Sequence, residues 1–362
     1  MTDLPLPADV QRLSVAELAA GLPGLSAGGP LLDSSGRVQH PLAVVELTGE
    51  DDVATLRTAA ERARSCDRIL AGFAAMPLSA AYDKLIEALD LTLTGPAAGE
   101  AGRPCVAVPD LSEGLAILAE AVARNPQASV LLAGVLRMTE PMTVPCALDA
   151  ESLAYSTLLG GPEFRRWLEG RRRRPVPDPP APPVLAERTD EAMRITLNRP
   201  ERRNAYGRAL RDALVESLLP AIVDDSIARV EVTGAGPSFC SGGDLDEFGL
   251  APDPVTAHLV RTRGGAGRLF HDLADRLEVR VHGSCVGAGI ELPAFAGRVV
   301  AAPGTTFRLP EVGMGLIPGA GGTVSIPRRI GRWRTLHLAV TGTLLDAETA
   351  LAWGLVDEIA TH

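Results

Sequence analysis

Between Val281 and Thr323 the chain reads VHGSCVGAGIELPAFAGRVVAAPGTTFRLPEVGMGLIPGAGGT. Glycines gather at Gly283–Gly289 and again at Gly319–Gly322, each time after an apolar run. Glycine clusters in such places mark tight strand-to-helix turns. A strand is expected to end at Val281, followed by a glycine turn and a helix with Glu291 in its first turn. A second strand, Arg298 to Ala301, leads to Leu309-Pro310-Glu311, and Ile317 to Thr323 opens another helix. Helix N-termini present unpaired N–H groups and a partial positive charge, which suit an oxyanion. Glu291 and Glu311 lie beside these turns, and paired carboxylates can divide acid and base duties.

Composition narrows the alternatives. The 362 residues suffice for two domains, and the 46% of hydrophobic residues for a large core. A formal charge of −10 argues against nonspecific binding of nucleic acid. The five cysteines are odd in number and contain no CxxC, so they are expected as reduced thiols in a cytoplasmic protein. Cys240 and Cys285 fall inside the glycine motifs, where a free cysteine more often packs as a small hydrophobe than acts as a nucleophile. MTDLPLPADV lacks the pattern of a signal peptide, and no run approaches the roughly 20 apolar residues of a membrane helix. The histidines lack metal-ligand spacing, and GSCVGAG is not a dinucleotide fingerprint.

Periodicity and breakers give the order of elements. Residues 1–40 are expected as a loosely ordered arm with a short helix at Ser14–Ala20. Residues 41–170 are expected as a smaller α/β domain. Its strands are Leu42–Leu47, Arg68–Phe73, Cys105–Val108 and Ala128–Leu136; its helices are Asp51–Arg64, Ser79–Leu89 and Ser112–Arg124. At its end Asp149–Gly170 predicts amphipathic helices broken near Gly160-Gly161-Pro162. Residues 171–183, four arginines and then PVPDPPAPP, read as a linker. The arginine run fits a solvated helix end or a phosphate contact. Beyond it the pattern predicts a hairpin (Val184–Glu187 with Met193–Leu197), a helix at Gly207–Val223, a strand at Arg229–Thr233, a glycine turn at Ser238–Gly243, a helix at Ala257–Leu277 and a strand to Val281. A helix at Trp333–Thr341, another capped by Asp346, and a strand at Leu355–Ile359 complete it.

Four strings in this half occur together: Leu197-Asn198-Arg199-Pro200 through Arg203-Asn204-Ala205; Phe239-Cys240-Ser241-Gly242-Gly243-Asp244-Leu245; Gly283 to Glu291; and Pro310-Glu311 through Ile317 to Thr323. In order and spacing they resemble the crotonase superfamily, the enoyl-CoA hydratase/isomerase family, over residues 184–360. The resemblance implies an α/β fold with a crotonase-like ββα spiral catalytic domain at 184–362. It implies an acyl-CoA thioester substrate, no metal or redox cofactor, and a homo-oligomer built on trimers; no nucleic-acid or membrane partner is expected, from the charge and the lack of a long apolar run. By motif position, the backbone N–H groups of Gly243 and Ala288 would hold the thioester oxygen. Glu291 would activate water, and Glu311 would share it and exchange a proton with the α-carbon. CoA would lie against Arg203, Asn204, Ala205, Ser241, Gly242, Asp244 and Leu245; Arg203 fits a phosphate contact or a plain surface residue.

The implied reaction is reversible hydration of an enoyl-CoA. The alternatives are an enoyl-CoA isomerase, a specialised CoA-ester enzyme, or a non-catalytic acyl-CoA-binding or assembly subunit. Departures from the pattern are Ala288 where glycine is usual, Gly297 where aspartate is common, and Glu278 and Arg280 on one strand face. The family's C-terminal covering helices are not found after Glu358-Ile359, so Ser152–Leu168 is expected to cover the site. The rhythm of residues 42–136 also raises the expectation of a decayed second copy of the catalytic fold.

Overall fold

The computed structural model describes residues 10–21, 30–99, 102–172 and 174–360. The remainder of the expected arm, 1–9 and 22–29, and Arg173 of the arginine run lie outside the described residues. The chain divides into two compact units, Met1–Arg137 with Gly331–Thr341, and Met138–Ile330 with Gly342–His362.

The first unit is built on five parallel strands in sequence order: β1 (Gln11–Ser14), β2 (Leu42–Glu46), β3 (Ile69–Ala74), β4 (Leu91–Thr94) and β5 (Cys105–Ala107). Helices α1 (Val15–Ala20), α2 (Val53–Arg64), α3 (Asp83–Ala88), α4 (Leu111–Arg124) and α5 (Pro126–Thr139) accompany them. Strands β2, β3 and β4 are buried along nearly their whole length, the mark of a parallel sheet covered on both faces. The short stretch Leu91–Thr94, overlooked in the sequence, is its fourth strand.

Helix α5 corrects the expected strand at Ala128–Leu136. A continuous apolar run does not distinguish a strand from a buried helix. Its most buried members, Ala128, Leu132, Ala133, Val135 and Leu136, recur at helical spacing. Pro126 supplies a preset first turn, and Ser129 N donates to Asn125 O at 3.0 Å. At the other end Arg137 grips Asp90 with bonds of 2.7 and 2.5 Å, and Asp90 also accepts from Leu70 N.

The second unit opens with α6 (Val144–Leu159) and α7 (Pro162–Glu169), before the proline-rich stretch. A hairpin follows, β6 (Val184–Thr189) and β7 (Ala192–Leu197), then α8 (Arg208–Val223), β8 (Arg229–Gly234), α9 (Pro254–Gly264) and α10 (Gly267–Asp272). The single helix expected over Ala257–Leu277 is thus interrupted at Gly264-Gly265. Next come β9 (Leu277–Val281), β10 (Ser284–Val286), α11 (Ala288–Glu291), β11 (Arg298–Ala301), β12 (Thr306–Arg308) and α12 (Gly322–Ile330). Helix α13 (Arg332–Thr341) falls in the first unit, and β13 (Leu345–Asp346), α14 (Ala347–Trp353) and β14 (Glu358–Ile359) return to the second.

Six strands form one sheet, β14-β11-β9-β8-β7-β6, parallel except for the β6–β7 hairpin. A second sheet, β10-β12-β13, carries the turns of the site. On the large sheet Arg280 pairs with Glu278 at 2.7 Å and with Glu231 at 3.1 Å, while Arg298 reaches Glu278 and Glu358 and Arg194 reaches Glu231. The two unexpected charges on β9 belong to a partly exposed ladder across five strands, each pair of which contributes little alone. Among the described residues no helix is long and apolar enough to cross a membrane.

Candidate active site

The Cys240–Gly243 turn and the β10–α11 turn lie side by side. Cys240 and Cys285 are bridged in parallel, and Val286 N donates to Cys240 O at 3.0 Å. This brings Gly243 and Ala288 into the wall of one cavity of about 230 Å³, together with Glu291, Glu311, Tyr155 and Phe248. Neither Gly243 N nor Ala288 N donates to an acceptor among the described residues. Both cysteines are buried and their thiols are pushed up, Cys240 to about 12 and Cys285 well above its usual value, by burial. They pack beneath the turns as unreactive thiols.

Gly287 shapes the cavity. Its φ of 49° lies in the left-handed region, and a Cβ there would overlap Glu311 Oε1 and stand 3.6 Å from Glu291 Oε1. The two carboxylates therefore face the same bare patch of backbone. Glu291 is 2% exposed, and its Oε2 accepts from Ala320 N at 2.7 Å and Gly322 N at 2.9 Å. Burial raises its carboxyl to about 7, against the pull of those hydrogen bonds. Glu311 is 7% exposed, and its buried Oε2 has no hydrogen-bond partner. Burial, with the charge of Glu291 beside it, holds the Glu311 carboxyl well above the carboxylate range.

A third carboxylate completes the set. Glu151, on α6, is 2% exposed; it accepts from Gly321 N at 2.8 Å, and from Thr323 N at 2.9 Å and Thr323 Oγ1 at 2.8 Å. Along the N-terminus of α12, Ala320 and Gly322 thus serve Glu291, and Gly321 and Thr323 serve Glu151. Burial raises Glu151 to about 8, and the Glu291 charge adds to the shift. Nothing in the motif strings points to it. Its one signal is that Glu151 shares the helical stripe of Leu148, Tyr155 and Leu158, where an acid is out of place.

Helices α6 and α7 supply cover for the site within its own unit. Tyr155 and Leu159 line the cavity. A Cβ on Gly319 would overlap the Tyr155 ring, so glycine there permits the approach of α6. From α7, Phe164 and Trp167 pack on Phe248 with ring centroids 6.5 and 5.8 Å away, and Phe248 backs onto Gly243.

The residues expected to meet CoA separate into two groups. Arg203, Ala205, Ser241, Asp244 and Leu245 line a second cavity of about 610 Å³, which shares Gly243 and Asp244 with the first and includes Arg171, Arg172 and Arg174. The Asp244 carboxylate is occupied by Arg202. Asn204 departs from the expectation. It is fully buried, donates to the carbonyls of Ala235 and Ser238, and accepts from Arg199 N at 2.7 Å, so it braces the loop. Gly242, with φ of 91°, likewise serves the turn, its carbonyl accepting from Tyr206 N at 2.7 Å.

Residues 187–362 match the family model described as enoyl-CoA hydratase/isomerase. The chain is 34% identical over 176 residues to 2,3-dehydroadipyl-CoA hydratase of Escherichia coli (strain K12), covering 49% of this chain and 68% of that protein. It is also 34% identical over 183 residues to 1,2-epoxyphenylacetyl-CoA isomerase of the same organism, covering 49% and 69%. Among solved structures, enoyl-CoA hydratase from Mycobacterium tuberculosis H37Rv is 35% identical over 50% of this chain and 69% of that one, with a TM-score of 0.44.

Proposed function

The chain belongs to the enoyl-CoA hydratase/isomerase family, whose members act on CoA thioesters, and from that premise we propose that it adds water reversibly across the double bond of a 2-enoyl-CoA. The observation that carries this reading is the pair of buried carboxylates, Glu291 and Glu311, facing each other across Gly287 in a cavity with two uncommitted backbone N–H groups.

The thioester oxygen sits between Gly243 N and Ala288 N. As water attacks C3, negative charge moves onto that oxygen, and each donor is worth about 3–4 kcal/mol of barrier. Hydration needs one carboxylate to take a proton from water and one carboxylic acid to deliver a proton to C2. The environments divide these roles. Backbone donors at Ala320 and Gly322 favour the ionised form of Glu291, whereas Glu311 Oε2 lacks a donor and stays protonated. Glu291 then takes the water proton as oxygen bonds to C3. Glu311 gives its proton to C2, and a proton passed from Glu291 to Glu311 restores both. The CoA portion leaves along the wall of Arg203, Ser241 and Leu245.

Loss of enoyl-thioester absorbance on incubation with crotonyl-CoA tests the reading. Glu291→Gln and Glu311→Gln should each lower kcat by about 10²–10⁴. Double-bond migration that needs Glu311 alone would assign an isomerase instead. Tight thioester binding with no turnover across a panel of enoyl-CoAs would assign a binding subunit.

A further inference from the structure

The cavity of the glutamate pair adjoins a small one of about 50 Å³, with which it shares Tyr206, Arg211, Arg261, Gly319 and Ala320 and whose wall includes Glu151, and two larger ones. Toward the CoA side it shares Gly243 and Asp244 with the cavity of Arg203 and Ser241. Toward the other side it shares Arg208, Arg211, Glu247, Ala251, Ala257 and Arg261 with a cavity of about 460 Å³. A thioester bound at Gly243 with CoA in the first direction sends its acyl chain in the second. A plain hydrocarbon chain calls for apolar walls, yet this passage carries three guanidinium groups.

Arg261, on α9, decides the matter. Its Nε donates to Ser152 Oγ at 3.1 Å, and its Nη2 to Ser152 O at 3.3 Å and to Ser156 Oγ. Its Cζ stands 4.3 Å above the Tyr155 ring. Every partner is neutral, and no carboxylate among the described residues lies within ion-pair distance of it. Neutral acceptors and a π face orient the cation without cancelling its charge. The Arg208 side chain makes no hydrogen bond or ion pair among the described residues, while Arg211 is held by Asp212. Of the carboxylates in these walls, Asp244 is taken by Arg202 and Asp178 stands in the outer wall; Glu247, which accepts from the neutral Arg208 N, and Glu291 and Glu311 at the reacting end line the same cavity, and none of them forms an ion pair with Arg261 or Arg208.

Resting on the acyl-CoA reading above, we propose that the acyl end of this site is an anion subsite built on Arg261 with Arg208, and that the substrate is an acyl-CoA whose chain ends in a carboxylate. A methyl-ended chain would desolvate these cations with nothing in return. A carboxylate pairs with a guanidinium in a planar, charge-assisted contact.

Calorimetric titration with hexanoyl-CoA and adipoyl-CoA, saturated and so inert to hydration, separates this proposal from the reaction assigned above. The wild type should bind adipoyl-CoA at least about tenfold more tightly, a preference that weakens as salt is raised. Arg261→Gln should bring the two ligands to within about twofold, and Arg261→Lys should keep part of the preference. Equal binding by the wild type, tighter binding of hexanoyl-CoA, or a preference intact in Arg261→Gln overturns the anion subsite. Should Arg261→Gln fail to fold, Arg208→Gln, at an exposed position, must lower the preference or the proposal falls. Hydratase activity on crotonyl-CoA is read separately, so a missing preference and a mistaken reaction give different results.

Discussion

Glu151 and Glu291 divide one helix terminus between them, alternate N–H groups going to each. Both carboxyls are raised from 4.5, Glu151 to about 8 and Glu291 to about 7, mainly by burial. A carboxyl raised in the folded state binds protons that the unfolded chain has released. Its contribution to stability is complete below pH 4.5, the unfolded value, and is lost as pH rises through the folded value. The melting temperature should therefore fall from pH 5 to pH 8 in scanning calorimetry, and Glu151→Gln should flatten that fall; an unchanged slope would remove Glu151 as a source. Gly287→Ala makes a second test. Its methyl would overlap Glu311 Oε1 at a left-handed φ, so hydration of crotonyl-CoA should drop by about 10²-fold or more with the circular dichroism spectrum unchanged. At this scale the motif strings were informative where backbone and side chain sit within one turn. They brought out Gly243, Ala288, Glu291 and Glu311, which line one cavity. They were silent on Glu151, which comes from a helix 140 residues before Glu291, and they did not separate Asn204, turned inward, from Arg203 beside it.

Among elements, α5 is the instructive case. A run of apolar residues says that a segment is buried and leaves its period open. Helix was decided by Pro126 at one end and by the reach of Arg137 to Asp90 at the other. Asp90 is 2% exposed and keeps Arg332 at 3.6 Å and the Leu70 N–H when Arg137 is removed, so Arg137→Ala should cost about 1–3 kcal/mol in urea unfolding. Helices α6 and α7 were legible as amphipathic segments in need of a partner surface. Their destination was expected too, from the family's missing covering helices rather than from the stripe itself, and Tyr155 and Leu159 do line the cavity. The glycines of the Gly319–Thr323 turn were ambiguous. They read as a helix start, and one of them also makes room for Tyr155.

For the whole molecule, the proline-rich stretch 175–183 was the natural place to divide the chain, and the compact units divide elsewhere. Helices α6 and α7 precede the prolines and belong with the sheet that follows them, while α13 belongs to the first unit. A protease nick within 175–183 should therefore leave two fragments that co-elute on size exclusion and retain activity; separation of the fragments would contradict the assignment of α6 to the site.

Glu151 also bears on how such a protein is inherited. The stretch that carries the family's signature is not self-sufficient: two backbone N–H groups at the start of α12 are answered from a helix the signature does not include. Recombination at the prolines would hand a descendant the glutamate pair without the acid that completes its surroundings. A graft of residues 184–362 onto another partner would leave Gly321 N and Thr323 N without the carboxylate that now accepts from them.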